Sequence, residues 1–249
     1  MSRWWPERVS IRVGATAGSR ATAVSPQARI DAMLEEFERE LESRALRART
    51  PLTVVLGGEA MRYRIVASSD ASAAQSFEGA AADAARDWIV RMHPAAPGEA
   101  TLASAADAVL LDRLQAAARS RHLKLDSVQP ALAHAYNAHR RRLPAQAWFA
   151  WLEHGWYTLL LTSPRGPRHV RHAFDDRVDL QALIARASFT LGLDDLDAPL
   201  HVARLHQAPE GSLAGSPTDP RAPIELPPLE DAPIRGGPHD EQPRIAATA

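Results

Sequence analysis

Residues 151–161, WLEHGWYTLLL, read as two apolar strands that turn on His154 and Gly155, with a single carboxylate, Glu153, where they meet. Their apolar residues run on consecutively instead of alternating with polar ones, the pattern of central strands covered on both faces. Outward from this turn, runs at 147–152, 156–162 and 167–173 predict a meander. A helix over LQALIARASFTLGL carries Leu180, Leu183, Ile184 and Phe189, and a last strand is expected in LHVARL, 200–205.

Upstream, Val9, Ile11 and Val13 alternate with polar residues as a first strand, and a second is expected at 21–24. In ARIDAMLEEFERELESRAL, Ile30, Met33, Leu34, Phe37 and Leu41 form one apolar stripe, so a helix follows with a solvated acidic outer face. Strands at 52–56 and 63–67 flank the turn Gly57-Gly58. The spacing of Phe77, Ala81, Ala84, Trp88 and Met92 predicts a helix over 77–92, closed by Pro94 and Pro97. Residues 100–144 then parse as strand, helix, strand, helix, and the alternation of elements implies an α/β architecture.

The chain has 249 residues, 45% of them hydrophobic, enough for one or two domains with a core. With 29 Lys plus Arg against 30 Asp plus Glu, its charge of -1 gives no reason to expect nucleic acid as a partner. The absence of cysteine excludes disulfides, thiolate metal sites and a cysteine nucleophile, and suits a reducing compartment. Charges at Glu7, Arg8 and Arg12 break any signal-peptide core. No run approaches the roughly 20 apolar residues that cross a bilayer. No Gly-x-Ser-x-Gly elbow or P-loop occurs.

From Ala208 the text turns Pro-rich, and a disordered tail is expected. Inside it the island PIELPPLEDAPI offers Ile224, Leu226, Leu229 and Ile234, either to a partner as an extended strand or to solvent as scattered aliphatics.

Two stretches open with a strand, a glycine turn and a second strand: IRVGATAGSRATAV and WLEHGWYTLLL. This duplicated opening resembles the actin-like, tandem ribonuclease-H-like ATPase fold. The run VVLGGEAMRYRIVA, with Leu110, Leu111 and Leu114 on the next helix, 123–128 as strand and Gln129-Pro130-Ala131-Leu132 opening the helix after it, is similar to the PilM and GspL families. The resemblance covers roughly residues 9–205. It implies a first actin-like half with an inserted subdomain at 1–145, a reduced second half at 146–206 and a disordered tail at 207–249. The families are cytoplasmic parts of type IV pilus and type II secretion inner-membrane platforms, so a cytoplasmic place peripheral to that membrane is expected.

In nucleotide-binding members of such families each phosphate loop carries an Asp two residues before its Gly, which holds Mg²⁺ or its waters. The first loop here reads Arg12-Val13-Gly14, and a guanidinium cannot ligate a metal. The second reads Glu153-His154-Gly155 with Thr158 beyond, a longer acid in the Asp position. The late Gly pair beside the adenosine helix is represented only by Gly236-Gly237 in the tail. The expectation is therefore a chain with no catalytic residues, no resident cofactor and no ATP hydrolysis. Should a nucleotide bind, Gly14, Glu153, Gly155 and Thr158 are the residues expected around it. Arg12 then either meets an anion or lies at a strand edge, solvated or paired with a carboxylate.

Histidine pairs at 169/172, 134/139 and 201/206 are not spaced for a metal, since the first two fall on opposite sides of a strand or spread around a helix. His139-Arg140-Arg141-Arg142 ends a helix where cations suit the dipole, and could equally touch anionic lipid. Trp4-Trp5-Pro6 places two indoles before the first strand, one for the core and one for a partner.

The reading is of a non-enzymatic assembly component binding the cytoplasmic segment of a bitopic inner-membrane protein, touching membrane only through that partner, with self-association left open. The resemblance puts that segment in a groove, for which Tyr63, Trp88 and Trp156 are candidates when they are not core. The alternatives are a working actin-like ATPase and an adaptor that binds through its tail.

Overall fold

The computed structural model describes residues 9–14, 25–68, 77, 87–96, 98–175, 177–193, 198–205 and 222–229. Its first layer is a parallel sheet of β1 (Val9–Val13), β2 (Pro51–Leu56) and β6 (Lys124–Pro130), in the order β1-β2-β6. Helix α1 (Pro26–Ser43) starts where the Ser25 side chain accepts from the Ala28 amide at 3.2 Å, with Pro26 at the first helical position. Its stripe Ile30, Met33, Leu34, Phe37 and Leu41 is buried, as the spacing predicts, against Ile11, Val13 and Val54. Helix α2 (Ala108–Ser120) is capped by Asp107, which accepts from the Val109 and Leu110 amides, and buries Leu110, Leu114 and Ala118 in the same core.

Between β2 and α2 lies an antiparallel sheet of β3 (Met61–Ala67), β4 (Trp88–Met92) and β5 (Ala100–Asp107), in the order β3-β5-β4. Here the expected helix over 77–92 is corrected at its C-terminal end, where 88–92 is strand β4, paired with β5 from Trp88↔Asp107 to Met92↔Ala103. The spacing of four between Trp88 and Met92 is even, so it also aligns one face of a strand. On that face Trp88 and Val90 pack with Phe77, Val66, Ala103 and Ala105. Residues 78–86 lie outside the described set, as does the strand expected at 21–24.

The second half is built on β7 (Ala147–Glu153), β8 (Trp156–Ser163), β9 (Gly166–Phe174) and β10 (Leu200–Arg204), with helix α3 (Ala131–His139) leading into it and α4 (Leu180–Thr190) inside it. A fifth strand, β11 (Ile224–Glu225), completes the order β11-β10-β7-β8-β9. The meander β7-β8-β9 is antiparallel, whereas β10 joins β7 and β11 joins β10 in parallel. This is the ribonuclease-H-like strand order. β7 and β8 are buried on both faces, as their apolar runs require. Phe149, Trp151 and Leu160 face α3 and Val55 of the first layer, while Trp148, Leu159 and Leu161 face Leu180 and Ala187 of α4. Among the described residues the second half keeps five strands and, beyond α3, the helix α4.

Residues 222–229 depart from the tail in which the sequence places them. The island expected to dock on a partner or stay solvated docks instead on the chain's own β10, with Leu226 8% exposed beside Phe149 and Trp151. The rest of the 207–249 tail is outside the described residues, as are Trp4, Trp5, Ile234 and Gly236-Gly237. No helix among the described residues is long and apolar enough to cross a membrane.

Candidate functional site

The C-terminal ends of β1, β2 and β7 converge, the place where ligands bind in open α/β sheets. Three turns meet there. Gly14 (φ 90°) ends β1, Gly57-Gly58 ends β2, and His154-Gly155 joins β7 to β8. Positive φ at both His154 (43°) and Gly155 (86°) makes the last a two-residue turn of the type that matches strand twist. The Gly57 amide donates to the Val13 carbonyl at 3.0 Å and ties the first two turns together.

The space between them is filled by the protein itself. The Gly14 amide donates to Glu36 Oε2 of α1 at 3.2 Å, and the Gly58 amide donates to Glu153 Oε1 in a short buried hydrogen bond. A Cβ on Gly57 would overlap the Glu153 carboxyl, and one on Gly58 (φ 45°) would overlap the Gly14 carbonyl and meet Trp156 Cδ1 at 2.9 Å. Glycine is required here for close approach, and at Gly58 also for its backbone.

Beside this contact, His172 of β9 bridges the halves. Its Nε2 lies 2.8 Å from the Gly58 carbonyl, which only accepts, so Nε2 carries the proton. On the neutral ring Nδ1 then accepts from the Thr158 hydroxyl at 2.8 Å. Trp156 stacks on the ring at 4.9 Å, and Tyr63 meets it edge-on at 5.2 Å. Burial holds the imidazole down, at about 4, with the Gly58 hydrogen bond opposing.

Glu153 is 4% exposed, and burial lifts its carboxyl to about 7 against the pull of the Gly58 amide, Trp151 and Arg12. The Trp151 N–H is near the carboxyl without reaching hydrogen-bond geometry. Tyr63 is pushed up by its own burial and by the charge of Glu153. Arg12 takes the carboxylate side of its expected alternatives and not the solvated one: it lays its guanidinium over the Trp151 ring, 5.7 Å from the centroid, near enough to Glu153 to favour its ionised form.

Of the four residues expected around a nucleotide, Gly14 and Glu153 each enter a contact at the junction, Thr158 serves His172, and the Gly155 carbonyl accepts from the Asp175 amide at 2.7 Å. Of the three groove candidates, Tyr63 and Trp156 converge on His172, while Trp88 packs in the β3-β5-β4 sheet under Arg62. His169 faces away from His172, edge-on to Trp148 at 5.9 Å, as the odd spacing predicts. No group of three or more His, Asp or Glu side chains that could hold a metal ion occurs among the described residues. Sequence reasoning missed Gly57-Gly58, His172 and Glu36. The one usable signal was the glycine pair directly after an apolar strand.

No protein-family model matches the chain, and no curated protein does. Solved structures do. A chain of the PilM–PilN type IV pilus biogenesis complex matches with a TM-score of 0.51 at 14% identity, over 82% of this chain and 76% of that one. The cytoplasmic domain of EpsL, an inner-membrane component of the Vibrio cholerae type II secretion system, matches at 0.44 and 13%, over 78% and 73%. A Bacteroides thetaiotaomicron protein with an actin-like ATPase fold and unknown function matches at 0.47 and 8%, over 82% and 84%. The fold is actin-like, of the kind seen in the PilM–PilN complex, as the duplicated strand-turn-strand opening implies.

Proposed function

We propose that this chain is a non-enzymatic assembly component of a type IV pilus or type II secretion-like inner-membrane platform, and that it binds the cytoplasmic segment of a bitopic membrane partner. The observation that carries the non-enzymatic part is the pair of internal carboxyl groups on the turn amides, Glu36 on Gly14 and Glu153 on Gly58. Backbone N–H groups at glycine turns are ready anion sites, and Gly14 belongs to the first expected phosphate loop while Glu153 belongs to the second. A nucleotide would have to displace both acids and part a buried contact first, and Arg12 stands where a metal ligand is needed. What supports the partner is the fold likeness to a chain of the PilM–PilN type IV pilus biogenesis complex.

Two titrations of the full chain by calorimetry test this. Synthetic peptides covering the cytoplasmic segments of the platform's bitopic proteins are expected to include one that saturates at micromolar concentration, while Mg·ATP gives no heat of binding. Saturable Mg·ATP binding with turnover, or silence from every peptide, contradicts the proposal.

A further inference from the structure

Strand β11 is held in a way that sets it apart from the other described strands. Pro223 precedes it and Pro227-Pro228 follow it, and residues without an N–H cannot extend a ladder, so the pairing stops after His201↔Ile224 and Val202↔Glu225. Beyond those pairs the segment is fastened by the Leu226 amide on the Val202 carbonyl at 2.8 Å and by a long 3.5 Å contact from the Leu229 amide to the Arg204 carbonyl. Only Leu226 is buried, and Ile224 is 46% exposed.

The surface beneath it asks for more than it receives. His201, 5% exposed on β10 opposite Ile224, has no hydrogen-bond partner on either ring nitrogen among the described residues. Arg204 Nε is likewise buried without a hydrogen bond among the described residues, and pairs with Glu225 Oε1 only as a 3.5 Å ion pair. A buried donor left unmade is costly, and Ile224 has nothing to offer His201. The apolar seat of Leu226 is well matched, His201 beside it is not, and Arg204 is met by Glu225 at ion-pair distance without a hydrogen bond from Nε.

We propose that the β10 edge is a docking site for an extended, parallel peptide, which residues 222–229 occupy in cis as a replaceable plug. The fitting ligand places an aliphatic residue in the Leu226 seat, a carboxylate toward Arg204, and a hydrogen-bonding side chain in place of Ile224 opposite His201. Main-chain hydrogen bonds supply affinity and alternate side chains supply selectivity, as in other cases of strand addition. Because residues 206–221 tether the plug, a free ligand competes against an effective concentration on the order of millimolar. This deepens the proposed function and rests on it, naming the site the partner's segment takes and what it must displace.

The test uses a fluorescent synthetic peptide of residues 222–229 and the full chain carrying Leu226→Asp, which expels the plug, with circular dichroism as a check on folding. The peptide is expected to bind this chain at least tenfold more tightly than wild type, and its Ile224→Asn version more tightly still. In the wild-type chain, which needs no substitution to fold, the Leu226 amide is expected to exchange hydrogen at least 100-fold faster than the amides that pair β7 with β8. Equal peptide affinity for both chains, or exchange at Leu226 as slow as in β7, overturns the plug. A partner peptide that binds wild type without displacing the fluorescent one overturns the β10 site and leaves the proposed function standing. A Leu226-dependent dimer in sedimentation that excludes the peptide assigns the edge to a second copy and also overturns it.

Discussion

Two glycine turns at the junction of the halves, Gly14 of the first expected phosphate loop and Gly58 after β2, differ in how this chain has closed them. At Gly14 the acid comes from Glu36, on the half-exposed flank of α1 and 22 residues away, through one hydrogen bond of 3.2 Å. At Gly58 it comes from Glu153, 95 residues away, 4% exposed, with His172 gripping the adjacent carbonyl. The first is a local hydrogen bond that water can replace. The second is a buried seam between the halves, and its loss leaves a buried backbone donor without its acid. One device at two depths should therefore give two very different responses to mutation.

The largest effect is expected from Gly58→Ala. Its Cβ meets the Gly14 carbonyl and Trp156 at a positive φ, so a loss of about 3 kcal/mol or more should appear in denaturant unfolding. Glu153→Ala comes next. It strands the Gly58 amide in a buried site, and about 2 kcal/mol should be lost in the same measurement. Glu36→Ala, which removes a half-exposed side chain, should cost under about 1 kcal/mol. A ratio near one between the two acids would remove the distinction between seam and surface.

Acidity sharpens the comparison. Glu153 titrates near 7 when folded against an ordinary 4.5, so its contribution is full below 4.5 and is lost as pH rises through 7. His172 titrates near 4 against 6.5, so its contribution is full above 6.5 and is lost as pH falls through 4. The slopes oppose each other across almost the same window, and wild-type stability should be nearly flat between pH 4.5 and 6.5. Glu153→Gln removes one slope only. That variant should weaken steadily as pH falls from 6.5 to 4, measured by urea unfolding at each pH, and a flat profile would show that His172 is not buried neutral.

What the sequence reveals of this molecule follows the range of each interaction. The stripe of α1, the two-residue turn at His154-Gly155 and the doubly covered strands β7 and β8 are written in neighbouring residues, and the structure has them where periodicity and turn chemistry put them. Strand β4 was misread because a spacing of four satisfies both a helix and a strand face, and only its pairing with β5 decides between them. β11 was hidden by its prolines, which dominate composition while a single leucine does the docking. At the site, Glu153 and Gly14 stood out by position in their turns. Glu36 read as one more solvated acid, and Arg12 as a strand-edge cation, because the groups that hold them, Gly14 and Trp151, come from elsewhere in the fold.

The central claim is that the chain's own acids, Glu36 and Glu153, hold the turn amides of Gly14 and Gly58 where a nucleotide phosphate would have to enter. The most direct measurement follows the Gly14 and Gly58 amide resonances by NMR while a non-hydrolysable ATP analogue and Mg²⁺ are added to millimolar concentration. Neither resonance is expected to move in the wild-type chain. Saturable shifts of both, dependent on the metal, would contradict the account.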